Sequence, residues 1–383
     1  SQKKNDWLKI SPSVGTFANL NKAGNIIFSN QQSSNPLDIC EACLYFRIKI
    51  DLKSTDEMTL ENNFFPRLFT TARLSLGTTE VENIEDPGAV SSLLNFVLID
   101  SSDKSVTETG WIPDSKLSDT GFKMRKLLYN SSTTGDSTFE GMFPLKHLFG
   151  FLQNYGRVIF LTPIQLTLNR ILNNESIFYG TSENKPKLTI DLLELWIPEI
   201  TLNPRLEVDL LDRINSDKEI EVNYLKRVPA VLNLPEGSIY SWKPANLSNV
   251  PRFILIGFQT LTDDYKTNNG LFIQNDESKR ITGLQLQLNS SYYPVNKMEF
   301  DTTKNYQLEP FNAYVEMCDK FKVIPQLNYL DFKNFYSVFC FDVSAQDEKL
   351  GVNGVSVTIH ITKDTDFKAR CVCVILEETT IKM

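Results

Sequence analysis

Histidine is nearly missing from this chain: 383 residues contain two, His147 and His360. Neither belongs to an H-x-H or H-E-x-x-H pair, which excludes zinc hydrolases of the H-E-x-x-H type and double-domain cupins with clustered histidine ligands. A Ser-His-Asp triad would have to use one of the two. His147 lies in the apolar run Pro144 to Phe149, and His360 alternates with Val357, Ile359 and Ile361. No local motif supplies either with an orienting partner, so both read as structural. Long apolar runs are also missing. No segment approaches eighteen residues, so no membrane-spanning helix is expected. Ser1 to Asp6 do not read as a signal peptide, and the missing initiator Met is expected to reflect trimming.

Cationic excess is absent as well. Lys and Arg total 39 against 47 Asp and Glu, a net charge of −8, which argues against a basic genome-wrapping tail and against an anionic membrane surface as partner. Cysteine has no framework. Cys40-x-x-Cys43 lacks a second pair at zinc-ribbon spacing and leads into a strand, not into the helix of a βαβ redox unit. Cys371-x-Cys373 closes a strand-like run, while Cys318 and Cys340 read as small core hydrophobes. Reduced thiols of an intracellular protein are expected, with pairing of Cys40 and Cys43 left open. No catalytic, metal-binding or cofactor-binding constellation emerges.

Aromatic and β-branched residues are plentiful. Aromatics reach 11%, led by 25 Phe and 13 Tyr, which favours strands over a helical bundle. The length suits two domains of about 190 residues, each able to bury its own core. The dominant period is two: Leu44, Phe46, Ile48 and Ile50 share one face, as do Leu284, Leu286 and Leu288, and Val355, Val357, Ile359 and Ile361. Leu188, Ile190 and Leu192 alternate before the phase slips to Leu193, Leu195 and Ile197, which predicts a β-bulge, with Pro198 and Pro204 closing the element. Phe253 to Phe258 is continuously apolar, as in a strand buried on both faces. In the run Ala369 to Leu376, Cys371, Cys373 and Ile375 share a face.

Helical spacing is confined to three short stretches. Asp86-Pro87 caps one carrying Val90, Leu93, Leu94 and Val97. Pro310 opens another with Phe311, Tyr314, Val315 and Cys318. A third follows Pro144, with Leu145, Leu148, Phe149 and Leu152 on one face. Residues 101–136 and 261–280 read as polar surface excursions, and Lys123, Arg125 and Lys126 in the first as a solvated basic face. The expected fold class is all-β: two tandem jelly-roll β-sandwiches, a double jelly roll, with a few short helices in the connecting loops. The expected division is an N-terminal arm over 1–14, a first roll over 15–197 and a second over 198–383.

Four segments carry a resemblance: Glu140 to Phe151, Val250 to Thr260, Leu288 to Pro294, and Phe341 to Leu350. In this order and spacing the chain, from about Gly15 to Glu378, resembles the double jelly-roll major capsid proteins of Polinton/Maverick- and adintovirus-like viruses and elements of invertebrates. The segment from Asn62 to Ile84 fits as well; the two polar excursions match poorly. The positions that carry the likeness are Pro144, Leu145, Phe149, Pro251, Arg252, Gly257, Phe258, Gln259, Asn289, Tyr293, Pro294, Phe341, Asp342, Ser344 and Gln346. The resemblance implies a non-enzymatic viral capsid subunit, assembled inside a host cell. It implies trimerisation into a pseudo-hexagonal capsomer that tiles an icosahedral shell, next to penton and minor capsid proteins. No cofactor and no direct sequence-specific nucleic acid binding are implied.

Bland roles are expected for the single residues: Pro144 and Pro294 ending strands, Gly257 allowing close approach between sheets, and Asp342 and Ser344 bracing a turn. Arg252 is expected either in an inter-subunit or inter-domain ion pair or lying on the surface. Three other readings stay open. One is a lectin-like binding module using Trp111, Trp242, Tyr292 and Tyr293. Another is a carboxylate enzyme using Asp263-Asp264 or Asp342 with Glu348. The last is a minor or domesticated capsid relative.

Overall fold

The structure, a computed structural model, describes residues 3–13, 20–31, 35–115, 120–129, 137–172, 177–181, 186–215, 221–260, 281–301, 304, 306–346, 354–363 and 367–382. The excursion at 261–280, with Asp263 and Asp264, lies outside the described residues, as does Glu348.

Alternating apolar residues fold the first half into β1 (Lys3–Ile10), β2 (Gly24–Asn30), β3 (Cys43–Ile50), β4 (Glu57–Leu60), β5 (Phe69–Leu76), β6 (Thr79–Glu85), β7 (Ser137–Pro144), β8 (Ile164–Arg170), β9 (Phe178–Thr181) and β10 (Leu188–Thr201). The second half supplies β11 (Glu221–Leu234), β12 (Ile239–Leu247), β13 (Pro251–Thr260), β14 (Ile281–Leu288), β15 (Ser291–Glu299), β16 (Phe339–Asp342), β17 (Val355–Lys363) and β18 (Ala369–Lys382). The first half forms sheets β1-β10-β3-β7 and β2-β8-β5-β6, with β4 and β9 as a small extra pair. The second forms β11-β18-β13-β16 and β12-β17-β14-β15. With β4 and β9 set aside, both halves have the same order of successive strands, 1-8-3-6 on one sheet and 2-7-4-5 on the other. That is the strand order of a jelly roll, twice.

The predicted bulge is present: the β10–β3 register shifts between Ile190 and Leu192, and Leu193, Leu195 and Ile197 then point into the core. Pro198 does not close β10, which continues to Thr201. It comes after β3 has ended opposite Trp196, so its missing N–H interrupts no bond to that neighbour. Lys3–Ile10, expected as an arm, is a strand of the first roll paired along the end of β10. Leu8 and Ile10 pack on the core, while Lys9 lies over the Trp196 ring on the other face. Pro294 likewise lies inside a strand, the edge strand β15. Opposite it the β14–β15 register slips, and the Gln285 side-chain amide donates to the carbonyls of Pro294 and Val295, at 3.1 Å each.

Among the described residues the helices are α1 (Pro87–Leu98), α2 (Thr120–Leu128), α3 (Gly150–Asn154), α4 (Pro204–Asn215), α5 (Leu308–Lys320) and α6 (Tyr329–Asn334). Helix α1 starts as predicted, with Asp86 accepting from the Ala89 N–H at 3.1 Å. It is buried on every side from Pro87 to Val97, as expected of a helix with no polar face to solvate. The α5 helix begins two residues before Pro310. After Pro144 come a 3-10 turn, Leu145–His147, and then α3. Helices α2, α4 and α6 were not foreseen.

Two cores result. The smaller fills the second roll; the larger fills the first and extends over residues of the second, among them Tyr314, Cys318, Leu327 and Phe332. Strand β18 divides them. Cys371, Cys373 and Ile375 face the second core, and Val372, Val374 and Leu376 face the larger one. The sheet β11-β18-β13-β16 is therefore a wall shared by both rolls. We expect Ile375→Ala and Leu376→Ala each to cost about 2–5 kcal/mol, the range for emptied core sites. The two should shift a single cooperative urea transition. Two separate transitions, with Leu376→Ala affecting one alone, would mean the wall is not shared.

Candidate functional site

A group of buried polar residues lies where the first roll meets this wall. Glu82 of β6 is buried. Its Oε1 accepts from the Arg227 N–H of β11 at 2.9 Å, and its Oε2 from the Phe151 N–H of α3 at 2.8 Å. Burial raises the Glu82 pKa, opposed by the Arg227 charge and by the backbone donors. The Arg227 guanidinium is buried too, donating from Nη2 to the Lys146 carbonyl at 3.0 Å and to Gln153 Oε1 at 2.9 Å. Desolvation lowers its pKa to about 10, with Glu82 acting against the shift. The Tyr224 hydroxyl donates to the Val81 carbonyl at 3.0 Å. Gly150 opens α3 so close to β11 that a Cβ there would collide with the Leu225 carbonyl.

A second group of bonds joins residues 95–115 of the first roll to 314–336 of the second. Trp111 Nε1 donates to Gln326 Oε1 at 2.8 Å, and Gln326 Nε2 donates to the carbonyls of Asn95 and Ile99, each at 2.8 Å. The Tyr314 hydroxyl donates to the Phe96 carbonyl at 3.1 Å. Asp114 receives Arg125 in a bidentate pair at 3.1 Å per bond, its N–H donates to the Tyr336 hydroxyl at 2.8 Å, and Ser115 donates to Asp331 at 2.9 Å. Arg370 pairs with Asp86 across the same seam and donates to Gln259 Oε1 at 2.9 Å.

Arg125 corrects the solvated-face expectation. Helix α2 turns it fully inward, where Nε also donates to the Leu60 carbonyl at 2.8 Å and Nη1 to that of Ile112 at 2.6 Å. Lys123 stays exposed. The Trp residues offered for sugar binding are unavailable: Trp111 is 2% exposed in the seam, and Trp242 is buried in the second core. Tyr292 is exposed and Tyr293 half-buried on β15. His360 hydrogen-bonds Ser241 Oγ through Nδ1 at 2.8 Å and Gln287 Oε1 through Nε2 at 3.0 Å. All six cysteines are free thiols. Among the described residues no cluster of His, Cys, Asp and Glu could hold a metal, and no helix is long and apolar enough to cross a membrane.

The positions carrying the resemblance are spread over the fold. Pro144 ends β7 and precedes the 3-10 turn, while Leu145 and Phe149 are buried in the larger core. Gly257 is buried opposite Val372. Phe258 and Phe341 belong to the second core, and Gln259 stands at the seam with Arg370. Pro251, Arg252, Asp342, Ser344 and Gln346 meet at one end of β13. There Gln346 donates to the Pro251 carbonyl, and Asp342 accepts from the Ser344 N–H at 2.9 Å and from its hydroxyl. Lys320 pairs with Asp342 at 3.0 Å. Arg252 holds Glu378, with Nε at 2.8 Å, and reaches the Ser344 carbonyl at 3.2 Å, so its ion pair lies within the second roll. Asn289, in the left-handed region with φ 53°, turns β14 into β15 and accepts from the Ser356 N–H at 2.9 Å. Glu82, Arg227, Asp114 and Gln326 were not foreseen, because no local pattern marks a polar residue whose partner is distant in sequence.

Two sandwiches of one strand order, sharing a wall, leave a single fold to consider, and the family model of the double jelly roll-like domain matches residues 58–381. This chain belongs to that family. The double jelly roll is also found in solved structures similar to it. The mavirus major capsid protein aligns with a TM-score of 0.55 and 10% identity, over 98% of this chain and 90% of that one. The Faustovirus major capsid protein gives 0.60 and 8%, over 100% and 90%. A chain of the Sputnik virophage gives 0.56 and 10%, over 99% and 87%. At these identities the likeness is one of fold. No curated protein matches the chain.

Two outcomes are expected of the seam. Arg125→Met should destabilise by about 3–5 kcal/mol, since it strands the Asp114 carboxylate, whereas Lys123→Met should stay within about 0.5 kcal/mol; chemical denaturation of both variants measures this. The second concerns acid. His147 Nδ1 is buried without a partner, and desolvation, with Arg227 and Lys146 adding to it, depresses the ring pKa from 6.5 to about 3. Below pH 6.5 the unfolded chain takes up a proton that the folded one refuses. Stability should therefore fall between pH 6.5 and 3, by at most about 1.4 kcal/mol per pH unit from this group. His147→Leu should flatten that slope in melts across the window; an unchanged slope would remove His147 as the cause.

Proposed function

We propose that this chain is a viral major capsid protein, a structural subunit and not an enzyme. Three copies form a pseudo-hexagonal capsomer, and capsomers tile an icosahedral shell. The observation that carries the reading is the shared wall. It makes two jelly rolls of one strand order into a rigid block, so three copies around a threefold axis present six similar rolls at the corners of a hexagon. In this reading the first roll runs from β1 to β10 and the second from β11 to β18, which moves the division expected near residue 198 into α4.

Unsatisfied apolar surface on the outside supports assembly. Val295 is 85% exposed and Ile239 77% exposed, on the two edge strands of the sheet β12-β17-β14-β15. Leu206, Val208 and Leu211 of α4 are exposed as well. Sheet edges with apolar side chains invite pairing or cover by another chain. A net charge of −8 suits a shell that does not wrap its genome directly. The partners in this reading are further copies, neighbouring capsomers, and penton and minor capsid proteins, and the site of action is the virion capsid, built inside the host cell. Light scattering on the purified chain should give three times its 43.7 kDa mass, and negative-stain images should show hexagonal outlines. A monomer that persists at assembly concentrations, alone and with salt or crowding agents, would sink the proposal.

A further inference from the structure

A cavity of about 460 Å³ opens at the seam, with walls from both rolls: Arg67, Phe69 and Asp86 from the first, Val231 and Arg370 from the second. Its volume is in the range of small-molecule sites. Arg67 sits on the 3-10 turn Phe65–Leu68 and is only 9% exposed. Among the described residues its side chain has one hydrogen bond, a long one of 3.5 Å from Nη2 to Ser92 Oγ, and its Nε is buried without a partner. No described carboxylate forms an ion pair with it; Glu61 and Asp86 act on it only through space. Asp86 is already committed, capping Ala89 with one oxygen and pairing Arg370 with the other. A buried guanidinium without a direct counter-ion is costly, yet this one is held in place, because a Cβ on Gly88 of α1 would strike its stem.

We propose that this cavity binds a small organic carboxylate, its charge on Arg67 and its apolar body against Phe69 and Val231. The one unpaired guanidinium sets the ligand class. Arg370 is paired with Asp86, Glu85 is solvent-exposed, and Glu61 acts on Arg67 only through space, so the cavity offers one guanidinium that a single carboxylate can contact directly. A dianion would meet Glu85 and Asp86 unfavourably. The apolar lining, which includes Ile171, favours a ligand with a hydrocarbon part over a bare ion. Because the walls come from both rolls, the bound ligand would tie them together and raise the melting temperature of the whole chain. The inference is independent of the capsid reading.

The test uses the full chain and hexanoate as probe, by titration calorimetry and thermal melts. Binding of one hexanoate per chain with a raised melting temperature is expected. Hexanol and hexylammonium should bind at least tenfold more weakly, and inorganic phosphate likewise. Arg67→Met should lower hexanoate affinity at least tenfold. Because that change also alters a buried charge, Val231→Trp is the second variant: it fills the cavity from a partly exposed position, leaves Arg67 intact, and should abolish binding while the melt stays cooperative. The proposal is overturned if the unaltered chain gives no heat with millimolar hexanoate. It is equally overturned if hexanol or phosphate binds as well as hexanoate, or if Val231→Trp binds like the unaltered chain.

Discussion

A β-sheet with both faces buried can hold a polar side chain only where a partner meets it, and the rest of this molecule is arranged around that constraint. The sheet β11-β18-β13-β16 belongs to the second roll by its hydrogen bonds and to both rolls by its side chains. Ile254, Ile256 and Phe258 of β13 fill the second core, while Leu255 and partly buried Phe253 join the larger one. Strand β18 repeats the division with Cys371, Cys373 and Ile375 against Val372, Val374 and Leu376. Burial of both faces removes the solvated side that an antiparallel sheet usually keeps. The small thiols of Cys371 and Cys373 fit this role, and burial pushes the titration of both far above the ordinary thiol range, so they behave as packing groups.

Apolar contact alone would hold the rolls together without fixing how they sit. The polar groups of the seam supply direction. Glu82 accepts backbone N–H groups from α3 and β11 at once, and Arg227 returns bonds to Lys146 and Gln153, so a slip of one residue would leave buried charge unmatched. Buried charged groups of this kind contribute little net stability, but removing one partner is costly, which opposes any other seating of the two rolls. Gly150 shows the same demand from the steric side, since only a residue without a side chain lets α3 meet the Leu225 carbonyl. In the proposed role as a repeating shell subunit, a fixed angle between the two rolls matters more than extra stability.

Much of this was readable in the residues. Period two located the strands and their buried faces, the slip at Leu192-Leu193 located the bulge, and Asp86-Pro87 located the start of α1. Those signals are local: successive strand side chains point to opposite sides whatever lies beyond them. The continuous apolar run at Phe253–Phe258 even announced two-sided burial. The failures share a cause. Arg125 looked like part of an exposed basic patch, because its partners, the Leu60 and Ile112 carbonyls and Asp114, come together only in the fold. Trp111 looked free to stack on a sugar, because Gln326 lies 215 residues away. Pro198 and Pro294 looked like terminators, because a proline is tolerated in a strand where a neighbour has ended or an edge bulges.

The sequence by itself pointed to the class of structure, through alternating apolar strands and few helices, and two isolated histidines excluded H-E-x-x-H zinc hydrolases and histidine-clustered cupins. Tertiary structure alone decided that Lys3–Ile10 is the first strand of a roll, that both rolls follow one strand order, and that Glu82 and Arg227, 145 residues apart, meet in the seam. The reason is physical. Which face of a strand is apolar depends on neighbours two residues away, whereas whether a charge can be buried depends on which distant group arrives to meet it.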